Sequence, residues 1–222
     1  MIRSFEDFVK RLREVGFTTA GGRAVGGICL SGEFGESVAW HTGEETDPWR
    51  WRIRVLTDCE GIAYAKLFSG GAGYLTREWY PAFLSVRRGG MGFRDFYEDG
   101  LLPAMCRRVY EALSESALAY HEIKRAIGFR RDEEGALQAA LARLQGLMFV
   151  TIRGETHRWN RYGEPYGWAI NVFDTTERFY GDAAFSEADA LDPDEAYGRI
   201  AARVREYNPD TSDIDIRKFI RG

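Results

Sequence analysis

The chain has 222 residues, 45% hydrophobic and 14% aromatic, with a formal net charge of −4. That composition excludes a disordered chain and provides a core for one large domain or two small ones. No apolar run makes a signal peptide or approaches the ~20 residues of a membrane span, so a cytoplasmic protein is expected.

The first helix is expected from a Ser4 cap to Glu14, with Phe5, Phe8, Val9 and Leu12 on one face and Gly16 as its stop. Gly21-Gly22 and Gly26-Gly27 flank a loop and short strand at Ile28 to Leu30, and Ser37 to His41 reads as another short strand. Asp47-Pro48-Trp49 is a helix start, with Asp as cap and Pro at the first position. The helix Trp49 to Asp58 carries two apolar ridges, Trp49/Ile53/Leu56 and Trp51/Val55, so both Trp49 and Trp51 are expected to be buried between layers. Ile62 to Phe68 alternates as a strand and returns through Gly73-Tyr74-Leu75. Thr76 then caps a helix from Arg77 to Arg88, with Glu78 in the first turn, Arg87 and Arg88 in the last, and a bend at Pro81. Phe93 to Gly100 is a connector.

From Leu101 to Phe173 the order is three helices and two strands. Leu101 to Leu113 and Ala117 to Ile127 have helical apolar spacing. A third helix capped by Asp132 carries Leu137, Leu141 and Leu144 and ends at Gly146. Phe149 to Ile152 and Trp168 to Phe173 are the strands, joined by a polar, basic segment. This is the order of a winged helix, whose usual use is DNA binding, although such units also dock proteins. The third helix would read DNA through Gln138 and Arg143. Arg130 and Arg131 precede it, and Arg153, His157, Arg158 and Arg161 lie in the wing. Against this, the helix opens with Asp132-Glu133-Glu134, which repels phosphate. A helix from Asp192-Pro193 to Tyr207 and another from Asp213 to Arg221, capped by Ser212, complete the chain. Residues 181–222 carry 6 basic and 10 acidic side chains, leaving a near-neutral body able to present a local basic face.

Nucleotide-loop, nucleophile-elbow and zinc-protease motifs are absent. Cys29, Cys59 and Cys106 are too far apart to suggest a disulfide framework or a cysteine metal site. No metal and no cofactor is expected. Among the histidines, only His41 is carried into the N-terminal site. That half interleaves aromatics with charges. Trp40, Trp49, Trp51 and Tyr97 are candidates to stack a flat ligand. Lys66 shares its strand face with Tyr64 and Phe68 and so calls for a carboxylate. Glu78, Glu98 and Asp99 are the candidate acids, and with Lys66 they form the candidate catalytic set. The same residues are equally expected of a core with surface ion pairs.

Several strings resemble a group of bacterial proteins called AlkZ-related. They are Asp47-Pro48-Trp49-Arg50-Trp51-Arg52, Ala63-Tyr64-Ala65-Lys66-Leu67-Phe68, Glu78-Trp79-Tyr80-Pro81, Arg87-Arg88, Tyr97-Glu98-Asp99-Gly100 and Tyr166-Gly167-Trp168-Ala169-Ile170. The resemblance runs from about Phe5 to Arg221. It implies a winged helix and remote kinship with winged-helix DNA glycosylases, which excise alkylated bases and unhook interstrand crosslinks. The catalytic motif of those enzymes is Gln, an apolar residue, then Gln or Asp. The only glutamines here, Gln138 and Gln145, are followed by Ala139-Ala140 and Gly146-Leu147, so no glycosylase residue carries over.

The sequence therefore predicts an α+β protein: a mixed aromatic-rich half over 1–98, a winged helix over 99–181 and a helical tail over 182–222 that packs back on the body. The expected function is binding of double-stranded DNA in base repair, with glycosylase-like hydrolysis as the reaction if it is an enzyme. The alternatives are an enzyme or sensor for a small planar ligand and a protein-interaction module.

Overall fold

The computed structural model describes residues 1–21, 27–59 and 61–222; Gly22 and Gly26 of the expected loop lie outside the described residues. Helix α1 (Phe5–Val15) starts as its sequence requires. Ser4 Oγ accepts the Asp7 N–H at 3.2 Å, and Gly16, at φ +89°, ends the helix. Strand β1 (Phe17–Thr19) follows directly and is buried throughout. Ser37 to His41 is not a strand: it is turn and coil, with His41 at φ +61°. The reason lies at Asp47, whose carboxylate gathers the N–H groups of His41, Gly43 and Trp49 and folds the segment into a loop.

Asp47 also caps α2 (Pro48–Asp58), as expected. Its second ridge is only partly covered: Ile53 and Leu56 are half-buried against the core, and Trp49 is not buried as expected. Trp51 and Val55 are 1% and 0% exposed, whereas Trp49 is 40% exposed. Trp51 sits among Phe5, Phe8 and Phe34 and donates its indole N–H to Glu45 O at 2.7 Å. Strands β2 (Ile62–Phe68) and β3 (Gly71–Thr76) complete a three-stranded antiparallel sheet of order β1-β3-β2. Thr76 pairs with Ile62 and closes β3 instead of capping a helix. Helix α3 (Tyr80–Arg88) begins later than the Thr76 signal predicts. Pro81 falls in its first turn, where the missing N–H costs nothing and no bend is needed.

The expected connector contains a helix, α4 (Phe93–Glu98). Then come α5 (Ala104–Glu115), β4 (Leu118–Ala119), α6 (Tyr120–Ala126), a 3₁₀ turn at Arg131–Glu133 and α7 (Glu134–Gly146). Glu133, not Asp132, is the cap position of α7, and its carboxylate takes the Arg130 N–H at 2.8 Å. Strands β5 (Val150–Trp159) and β6 (Pro165–Thr175) are far longer than predicted. The basic segment between the predicted strands is itself largely strand, with Arg158 opposite Tyr166 and Trp159 opposite Pro165. With β4 they make a second antiparallel sheet, of order β4-β6-β5.

Helices α8 (Thr176–Tyr180), α9 (Asp182–Asp189), α10 (Pro193–Tyr207) and α11 (Asp213–Arg221) follow. No cap or apolar period along the chain predicts α9. Helix α3 is buried nearly along its length and lies against α9, α10 and α11. Phe219 of α11 stacks on Phe68 of β2 at 4.3 Å and 2°, which fastens the last helix to the first sheet. The architecture is mixed α+β, with two small antiparallel sheets sharing one apolar core. Among the described residues no helix is long and apolar enough to cross a membrane.

Candidate nucleic-acid interface

The base of the β5–β6 hairpin is tied together by Asp174, 0% exposed, which gathers two arginines. Arg153 Nη1 donates to its Oδ2 at 2.7 Å and Arg178 Nη1 to its Oδ1, while the Thr175 N–H donates to Oδ1 at 2.8 Å. Arg178 also bonds the carbonyls of Leu113 and Ser114 at the end of α5. Arg153 is expected from its position to face phosphate; the structure gives it instead to a buried carboxylate on the neighbouring strand.

Toward its tip the hairpin changes character. His157, Arg158 and Arg161 are exposed. So are four large aromatics: Trp159 62%, Tyr162 71%, Tyr166 50% and Trp168 83%. The Arg161 guanidinium lies over the Tyr162 ring at 4.6 Å. Between the Arg158/Tyr166 and Thr156/Ile170 pairs β6 has three residues, Gly167 to Ala169, against His157 alone, so the strand bulges there, with Gly167 at φ +74° and Trp168 within the bulge. Cations beside open rings can meet phosphate and stack on flat groups. Sequence reasoning finds the cations and misses these aromatics. The signal that could have found them is four large rings in a segment too polar to be core.

Helix α7 buries Leu137, Ala140, Leu141, Leu144 and Gln145 and exposes Gln138 and Arg143 on an otherwise small-residue face. Its acidic start is compensated. Arg108 bonds Glu133 at 2.6 Å, Lys124 bonds Glu134 at 2.6 Å, and Tyr120 and Gln138 also donate to Glu134. Arg108 and Lys124 respectively hold the two carboxyls below their usual range. Arg130 lies near Asp132 and Glu133, and Arg131 is exposed. Arg143 sits near the other end, beside Ser69, Gly70 and Arg221, at a cavity of about 480 Å³.

The expected acid–lysine set is not assembled. Irregular β2–β3 pairing between Ala65 and Phe68 breaks the alternation, so Lys66 is exposed while Tyr64 and Phe68 are buried. Glu78 pairs with Arg199 at 3.5 Å, and Glu98 with Arg94, one helical turn away, at 2.6 Å. Asp99 ends α4 and is exposed. Tyr97 belongs to another surface, a groove of about 660 Å³ between α4 and α5 where Phe93 stacks on Tyr110 at 3.9 Å. Trp51 is core. Of the expected stacking residues only Trp40 and Trp49 come together, on either side of His41, whose ring lies 4.8 Å from that of Trp49. Among the described residues no group of three His, Cys, Asp or Glu side chains is placed to hold a metal ion.

Arg87 and Arg88, which the sequence presents as cations serving the end of their own helix, are buried and serve other helices. Arg87 donates to Gly146 O at the end of α7 and to Ile220 O and Phe219 O in α11. Arg88 donates to Leu147 O, Met148 O and Thr176 Oγ1, and pairs with Glu177 at 2.9 Å. The last carbonyls after α7 are thus fixed by α3.

A family model described as AlkZ related matches residues 2–221. Comparison with curated proteins and with solved structures finds no match.

Proposed function

The chain belongs to the AlkZ-related family, and on that premise we propose that α5 to β6 form a winged helix that binds double-stranded DNA in the service of base repair. The observation that carries the reading is the order α5-β4-α6-α7-β5-β6 with sheet order β4-β6-β5, ending in a hairpin tip that presents His157, Arg158 and Arg161 among open aromatics. The compensated start of α7 supports it too, because Arg108 and Lys124 lower the barrier that three acids would set against phosphate. Gln138 and Arg143 are the side chains of α7 available to DNA. The kinship suggests a glycosylase-like role. No catalytic residue is assigned, since Lys66, Glu78, Glu98 and Asp99 are dispersed and neither glutamine carries the glycosylase motif.

The test is a titration of a 25-base-pair duplex at several salt concentrations. Wild type should bind, and the Arg158→Ala/Arg161→Ala variant should bind all sequences more weakly. Its slope of log K against log salt should fall by about 0.9 for each phosphate that the variant no longer neutralises. Unchanged affinity and slope remove the wing from the interface. Release of free base from alkylated duplex by the wild type, assayed in parallel, decides whether the repair role is catalytic.

A further inference from the structure

The loop from Trp40 to Trp49 caps α2 through Asp47 and accepts the Trp51 indole N–H at Glu45 O, and it also holds two rings that these structural roles leave open. His41 occupies the left-handed region at φ +61°, which a residue with a Cβ enters only under constraint. The constraint is Asp47, 1% exposed, whose Oδ1 accepts the N–H groups of His41 and Trp49 at 3.0 and 2.8 Å and whose Oδ2 accepts that of Gly43 at 2.9 Å. Yet the rings so fixed stay open: Trp40 is 42% and Trp49 40% exposed. Trp49 is also braced by Arg52, whose guanidinium lies 4.0 Å from the indole centroid. Arg52 is 5% exposed, bonds Glu155 of β5 at 2.8 Å, and has no hydrogen-bond partner at Nε among the described residues. The braced tryptophan is therefore tied to the hairpin proposed above to bind DNA.

A ring held at fixed orientation, partly open and backed by a guanidinium is prepared to stack, since little freedom remains to be lost on binding. Its charge environment favours a base over a phosphate. The cations there are already paired, Arg52 with Glu155 and both Arg50 and Arg54 with Glu45, and Glu44 adds a further acid in the same loop. A base inside a duplex has no free face, whereas an unpaired base has two. We propose that Trp49, with His41 beside it, is a stacking platform for an unpaired nucleobase, placed so that a looped-out or single-stranded nucleotide is held next to the wing. The inference rests on the DNA-binding reading.

The experiment measures fluorescence anisotropy of two labelled oligonucleotides, a perfect 25-base-pair duplex and the same duplex with three unpaired thymidines at its centre. Wild type should bind the bulged duplex roughly tenfold more tightly, the scale of one base–aromatic stack. Trp49→Ala should lose that preference while keeping its affinity for the perfect duplex, and Trp49→Phe should keep most of the preference. Thermal unfolding of each variant separates loss of stacking from loss of fold. A wild type without preference, or a folded Trp49→Ala protein that retains it, overturns the inference and leaves the DNA-binding reading standing. A wild type that binds neither oligonucleotide removes both.

Discussion

Gln145 Oε1, on the buried side of α7, accepts the backbone N–H of Lys66 at 3.0 Å. Lys66 lies on β2, an edge strand of the first sheet, so the glutamine supplies a hydrogen bond that no strand supplies. Gln145 is 2% exposed and its Nε2 donates to Leu141 O at 2.8 Å. Gln145→Leu keeps the volume but strands the Lys66 N–H. It should cost ~1–3 kcal/mol, read as a lower urea midpoint with unchanged DNA affinity. An unchanged midpoint would mean that this strand edge needs no partner.

Trp49 and Trp51 belong to one helix and should respond differently to truncation. Trp51→Ala empties a site 1% exposed and should cost ~3–5 kcal/mol. Trp49→Ala removes a ring 40% exposed and should cost clearly less. Paired urea titrations check the order, and equal costs would contradict the burial described above.

The three hairpin arginines should also separate. Arg153 is held at the base of the hairpin, away from its tip, by Asp174, a carboxylate it shares with Arg178, so Arg153→Ala should leave the salt dependence of DNA binding nearly unchanged, in contrast to Arg158→Ala and Arg161→Ala. Asp174→Ala removes charged hydrogen bonds to Arg153 and Arg178 and should cost roughly 1.5–3 kcal/mol. The figure stays modest because Arg153 and Arg178, 51% and 34% exposed, can rehydrate. A reduced salt slope in Arg153→Ala would return that residue to the interface.

Asp47 makes the loop acid-sensitive. Burial pushes its carboxyl up, but the N–H groups of Gly43, Trp49 and His41 outweigh burial and hold it below its usual value of 3.8. A folded value below the unfolded one means that the stabilisation is fully present above about pH 3.9 and is lost as pH falls through the folded value. Asp47→Asn cannot titrate, so its stability should fall less steeply than that of wild type between about pH 4 and pH 2. Melting followed by tryptophan fluorescence across that range is the measurement, and identical acid limbs would remove Asp47 as the holder of the loop.

Features set by near neighbours in the chain were legible without any structure. The caps at Ser4, Asp47, Asp192 and Ser212 appear where short polar side chains precede apolar periodicity, because a helix start is satisfied locally. The α+β class and the order of three helices before a hairpin were legible for the same reason. The family strings were legible as well. Everything that depends on a distant partner waited for the folded chain. Lys66 alternates toward Tyr64 and Phe68 on paper, but irregular strand pairing removes it from their face. Trp49 has the spacing of a buried ridge, but Arg52 and the Asp47 loop occupy that side and leave it half open. Arg87, Arg88 and Arg153 look like surface cations until carbonyls from α7 and α11 and the carboxylate of Asp174 arrive to take their charge. A side chain's spacing fixes which way it points along its own element; what waits there is fixed by packing between elements far apart in the chain.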